Sequence, residues 1–132
     1  MSRARSSIWI AAFAAFLCVG IPYWRVPYSD VNLPNALMGP GLVLVGVAAF
    51  WVHAAGAASF LKSFLVVGAA VPAAVLARVI VEAVRDPSSH NLWPLEVVIA
   101  GVVGLTCALI GASAGGLVRR LKGPTPRKAS AR

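Results

Sequence analysis

Apolar runs too long for the core of a small soluble domain dominate this sequence. Four can be drawn: residues 8–24 (IWIAAFAAFLCVGIPYW), 40–55 (PGLVLVGVAAFWVHAA), 59–84 (SFLKSFLVVGAAVPAAVLARVIVEAV) and 94–118 (PLEVVIAGVVGLTCALIGASAGGLV). A helix rises about 1.5 Å per residue, and about 20 residues cross the hydrocarbon of a bilayer. By that measure the first two runs are short and the last two have length to spare. Backbone polar groups find no partners in lipid, so helices are the spanning form; the alternation of barrel strands is missing. A soluble reading would need a polar remainder to cover these runs. Only 12% of the 132 residues are charged and the mean hydropathy is +0.82, against about 25% charged residues in an ordinary soluble chain. The expected fold is therefore an all-α integral membrane protein, with four transmembrane helices in an antiparallel bundle. A cytoplasmic N-terminus (1–7) would precede the helical domain (8–118), and a basic tail without fixed structure (119–132) would follow it.

The first run has a second reading as a secretory signal peptide cut after Gly20. Tyr23 and Trp24 argue for a retained helix, because aromatic residues of this kind mark a membrane interface. Leu17 is too large to precede a lipoprotein cleavage at Cys18.

Basic residues set the orientation. Arg3 and Arg5 lie before the first run, and Arg119, Arg120, Lys122, Arg127, Lys128 and Arg132 follow the last. Such flanking charges stay cytoplasmic, and four crossings bring both termini to that side. The expected location is the inner membrane. Much of the net charge of +8 sits beside a membrane helix, so it predicts contact of Arg119, Arg120 and Lys122 with anionic lipid rather than with nucleic acid.

The four acidic residues, Asp30, Glu82, Asp86 and Glu96, all fall at or near the opposite, outer face, together with Arg25, Arg78 and Arg85. Arg78 and Glu82 are four apart on one helix, hence on one face, and lie inside its outer end. Ionisable groups within a span are costly and are functional candidates. As an isolated pair they should tolerate joint replacement by apolar residues. Glu96 is expected to act like a cap at the start of the fourth helix, and Asp86 and His90 are close enough in sequence to touch. The candidate outer polar site is Arg25, Asp30, Asn32, Arg78, Glu82, Asp86, His90 and Glu96.

Residues 21–41 (IPYWRVPYSDVNLPNALMGPG) interrupt the apolar pattern. Pro22 should end the first helix, Pro27 and Pro34 disfavour helix before them, and Pro40 suits the first turn of the next. A rigid outer loop offering a surface to a partner or solute is expected. Arg25, Pro27 and Ser29 align with Arg85, Pro87 and Ser89 at a constant offset, the pattern that two tandem helical hairpins would leave.

Small residues mark the fourth run: Ala100, Gly104, Ala108, Ala112 and Gly116 recur every four residues, beside Gly111 and Gly115. This spacing lets helix backbones approach closely in lipid, either within the bundle or against another copy. Ala69, Ala73 and Ala77 offer a matching strip on the third run, and Pro72 is placed to kink it.

Chemistry is otherwise scarce. Cys18 and Cys107 sit in apolar runs without CxxC spacing, His53 and His90 fall on opposite sides, and no nucleotide, metalloprotease or hydrolase motif is present. No cofactor is called for. The expected function is a non-catalytic accessory or assembly subunit of a larger membrane complex, whose partners are membrane lipids and another membrane subunit or itself. The alternative is an oligomeric transporter or channel for a small solute, and after it an enzyme with an outer-face site.

Overall fold

A computed structural model of the chain describes residues 3–123, with side chains from Ser6 onward. The regular structure of the described residues is all helical, with no strand: α1 (Arg3–Arg25), α2 (Pro40–Ala54), α3 (Phe60–Gly68), α4 (Ala70–Arg85) and α5 (Trp93–Leu121). Three stretches, Ser6–Arg25, Phe60–Arg85 and Trp93–Leu121, are long and apolar enough to cross a membrane, and α2 is a shorter apolar helix. Arg119 and Arg120 belong to α5 rather than to a tail, whereas Arg127, Lys128 and Arg132 lie outside the described residues.

The helix ends follow local chemistry. Pro40 opens α2 after an extended Gly39, and the Ser59 hydroxyl accepts the Lys62 N–H at 3.4 Å to cap α3. Gly56, with φ +69, turns the chain between them in the left-handed region that favours glycine. Pro22 does not end α1; the helix runs through it to Arg25. α3 and α4 are nearly continuous, broken at Ala69 one turn before Pro72, whose ring nitrogen has no hydrogen to offer the Gly68 carbonyl.

α5 is the spine. Ala100, Ala108 and Ala112 are fully buried, and Gly104, Gly111 and Gly115 face neighbouring backbones. A Cβ at Gly104 would lie 2.6 Å from the Gly68 carbonyl oxygen, and one at Gly115 would lie 2.5 Å from that of Phe50. At Gly111 it would overlap the Gly46 carbonyl, and partly buried Gly116 faces the His53 ring. The ridge is thus spent inside the bundle. α2 runs parallel to α5, since Gly46, Phe50 and His53 meet Gly111, Gly115 and Gly116 in order. The stripe that α3 and α4 bury is Val67, Gly68, Val71, Ala74 and Val75, where branched side chains fill the space left by α5 glycines. The Ala69, Ala73 and Ala77 strip does not serve: Ala69 and Ala73 are exposed and Ala77 is only partly buried.

The segment between α1 and α2 folds downward. Gly41 packs so tightly on Cys18 that a Cβ would overlap its carbonyl. Cys18 stands seven residues before the end of α1, so α2 starts about 10 Å short of the level of Arg25. Residues 26–39 fill that notch through two short 3-10 turns, Tyr28–Asp30 and Asn35–Leu37. Leu37 is buried, and Val31, Leu33 and Ala36 pack against the core. Rather than standing above the bundle as a projecting loop, this segment caps α2.

Candidate functional site: a buried charge relay

Arg78 begins the site. It is 5% exposed and donates from Nε to Glu82 Oε1 at 2.7 Å, from Nη1 to the Tyr23 carbonyl at 2.7 Å and from Nη2 to the Val26 carbonyl at 2.8 Å. The Tyr23 carbonyl lies in the last turn of α1 and the Val26 carbonyl just past it, where C=O groups run short of helical partners; besides the Arg78 bond, the Tyr23 carbonyl accepts the Val26 N–H at 3.3 Å. Pro27 deepens that need at Tyr23, because it cannot supply the fourth-residue N–H. The guanidinium carbon also stands 4.9 Å over the Tyr23 ring, a cation–π contact. Tyr23 is accordingly core, 1% exposed, and not an interfacial anchor. Its hydroxyl is buried with no hydrogen-bond partner among the described residues. Trp24 donates its indole N–H to the Ala74 carbonyl at 2.9 Å, tying α1 to α4 a second time.

Glu82 passes the relay on. Its Oε2 contacts His90 Nε2, and His90 Nδ1 lies 2.9 Å from Glu96 Oε2 and 3.1 Å from Oε1. Both imidazole nitrogens therefore face carboxylates, and only the doubly protonated ring offers a hydrogen to each. Burial pushes the His90 pKa down, but the hydrogen bonds and charges of Glu82 and Glu96 outweigh it and raise the value above the ordinary 6.5. In that state two cations and two anions alternate along Arg78, Glu82, His90 and Glu96, and the set is neutral.

Local chain chemistry delivers His90. Asp86 ends α4 and its Oδ1 accepts both the Ser88 backbone N–H at 2.9 Å and the Ser88 hydroxyl at 2.6 Å. Those bonds hold its carboxyl below the ordinary range. The turn presents His90 with φ 59, in a region few non-glycine residues occupy. Its backbone N–H donates to the Tyr28 hydroxyl at 3.1 Å, and the two rings meet edge to face at 4.6 Å. Tyr28 thereby fastens the α1–α2 segment to the α4–α5 turn.

Of the eight candidate polar residues the structure joins four: Arg78, Glu82, His90 and Glu96. Asp86 turns to Ser88 instead of to His90. Glu96 makes no cap; α5 starts without a side-chain cap and Glu96 spends its carboxylate on His90. Arg25, Asp30 and Asn32 are exposed and outside the relay, with Asp30 accepting only from Ser29 at 3.1 Å. Tyr23, Val26 and Tyr28 were missed. For the carbonyls the available signal was Pro27; for Tyr28 the sequence holds none. Among the described residues no group of three His, Cys, Asp or Glu side chains is arranged to hold a metal, and Cys18 and Cys107 are free thiols.

At the opposite end a cavity of about 1040 Å³ opens between the α2–α3 turn and the last turns of α5. A shallower apolar groove of about 340 Å³ follows the α2–α5 seam. Neither is lined by a relay residue.

No protein-family model, curated protein or solved structure matches the chain.

Proposed function

We propose that the chain is a multi-pass inner-membrane protein that crosses four times, α2 included, with both termini cytoplasmic, and serves as a non-catalytic accessory or assembly subunit of a larger membrane complex. One observation carries this reading: the notch above α2. The relay marks the outer boundary of the hydrocarbon, and residues 26–39 descend from it by about 10 Å. Asn32 and Asn35 are exposed within that descending segment. Irregular backbone and amides at membrane depth are tolerated only where protein or water covers them. A flank of this kind suits another protein, and bare lipid does not suit it.

The relay supports the same role. It clasps α1, α4, α5 and both polar segments into one unit, and three of the N–H groups of Arg78 are spent on protein acceptors. A solute pathway would need such groups free to exchange partners.

The test places a photo-crosslinking amino acid at Asn35 and, separately, at exposed Val102 on α5. In intact membranes Asn35 should yield a single heterologous adduct of defined mass, and Val102 none. An identical adduct pattern from both positions, or none from Asn35, overturns the assignment of this flank.

A further inference from the structure

We propose that the cavity at the basic end binds the phosphate headgroup of an acidic phospholipid. Arg119, Arg120 and Lys122 line it together with His53, Gly56 and Phe60, and no carboxylate is among its lining residues. The Arg119 guanidinium rests against the Gly56 turn, its Cζ 3.7 Å from where a Cβ would stand. His53 Nδ1 is tied to the Ala58 carbonyl at 3.2 Å, which fixes the ring and leaves Nε2 beside Gly116 on the cavity wall. A carbonyl only accepts, so Nδ1 carries the hydrogen of that bond.

Among the described residues the charge has no counterion at hand. All described ion pairs belong to the relay at the far end of the bundle. Three cations lining one cavity, with no carboxylate among its lining residues, suit a phosphate group, which guanidinium groups grip through paired N–H donors. The neighbouring surface decides between a free phosphate and a lipid. Phe60 and Leu117 line the cavity, and the apolar groove with Phe50, Ile110 and Ala114 lies about one turn away along α2 and α5. A headgroup in the cavity would have an acyl chain laid along that groove. This inference rests on the membrane reading but not on the subunit role; a chain that met no partner would still bind the lipid.

The full chain, purified in mild detergent, is titrated with phosphatidylglycerol, with phosphatidylcholine of the same acyl chains, or with inorganic phosphate, and the thermal unfolding midpoint is followed. Phosphatidylglycerol should raise the midpoint saturably and phosphatidylcholine should not. Arg119→Gln/Arg120→Gln should weaken half-saturation roughly thirtyfold, and Lys122→Gln, a milder change should the double variant fold poorly, about fivefold. Arg127→Gln/Lys128→Gln removes the same charge from the tail and should leave half-saturation unchanged. An equal loss in that tail variant would mean diffuse attraction and overturn the site. An equal rise with inorganic phosphate alone would overturn the lipid as its occupant.

Discussion

His90 sits in a backbone conformation that costs a non-glycine residue about 1–3 kcal/mol, and the carboxylates on either side of its ring offset that cost. Glu82 faces it from α4, Glu96 from α5 and Tyr28 from the α1–α2 segment, while Arg78 holds the other oxygen of Glu82 with Tyr23 beneath the arginine. Because the folded state raises its pKa above 6.5, it holds a proton that the unfolded chain gives up sooner. The stability this adds is fully present below the unfolded value and is lost as pH rises through the folded one. The melting midpoint should therefore fall on the alkaline side of about 6.5, the unperturbed histidine value, and His90→Ala should abolish that step. The same substitution strands Glu96 and leaves Glu82 with Arg78 alone, and these carboxylate side chains are only 19% and 26% exposed. A loss of about 3 kcal/mol is expected by chemical denaturation at neutral pH. Tyr23→Phe removes a buried hydroxyl that has no partner and keeps the ring under Arg78. Its stability should be unchanged or higher by up to about 1 kcal/mol; a clear loss would show that the hydroxyl is bonded after all.

Two of the helices lose a hydrogen bond to proline, and in both a glycine of another helix stands at the carbonyl left over. Pro22 frees the Cys18 carbonyl and Gly41 meets it; Pro72 frees the Gly68 carbonyl and Gly104 meets it. Close approach brings Cα hydrogens to these oxygens, a weak bond of some value where water is absent. The prolines were legible as places where a backbone bond is missing, but residue order does not say which neighbour fills it. Hence Pro22 read as a helix end although α1 passes through it. The small-residue spacing of α5 was plain for the opposite reason, since close packing needs nothing except the absence of side chains. Gly111→Ala drives a methyl into the Gly46 carbonyl and should cost about 2 kcal/mol or more by thermal melting in detergent. Gly101→Ala, with nothing within 4 Å, should be neutral or mildly stabilising. Equal tolerance of both would mean that α2 and α5 separate easily.

At the scale of the molecule, the all-helical class and two of the three long apolar helices followed from run length alone; the first run read as short, and α1 reaches spanning length because its helix continues from residue 8 back to Ser6 and on to Arg25. The four-residue spacing of Arg78 and Glu82 put them on one face. The relay as a whole was not legible, because His90 and Glu96 reach it through a turn and Val26 and Tyr23 through a separate helix. The difference alters a prediction. As an isolated pair, Arg78 and Glu82 would tolerate joint replacement, but Arg78→Leu/Glu82→Leu also removes the guanidinium from the Tyr23 and Val26 carbonyls and the carboxylate from His90 Nε2. That double variant should melt well below the parent; full recovery of stability would show that the Arg78 bonds to the two carbonyls and the Glu82 contact to His90 are idle. For the proposed orientation, Ser29→Cys and Ser88→Cys should react with an impermeant thiol reagent in intact cells, and Lys128→Cys should not. Labelling of the tail would reverse the map. With that orientation the relay has a consequence for how the chain is made. Three arginines and four carboxylates must be carried across the bilayer during insertion, a deficit of one positive charge that the proton on His90 cancels. Each uncompensated charge crossing a membrane would exchange about 2.3 kcal/mol with the voltage per 100 mV. A balanced cargo feels neither push nor drag, so the polar segments can be delivered with equal ease into an energised or a de-energised membrane, provided His90 travels protonated.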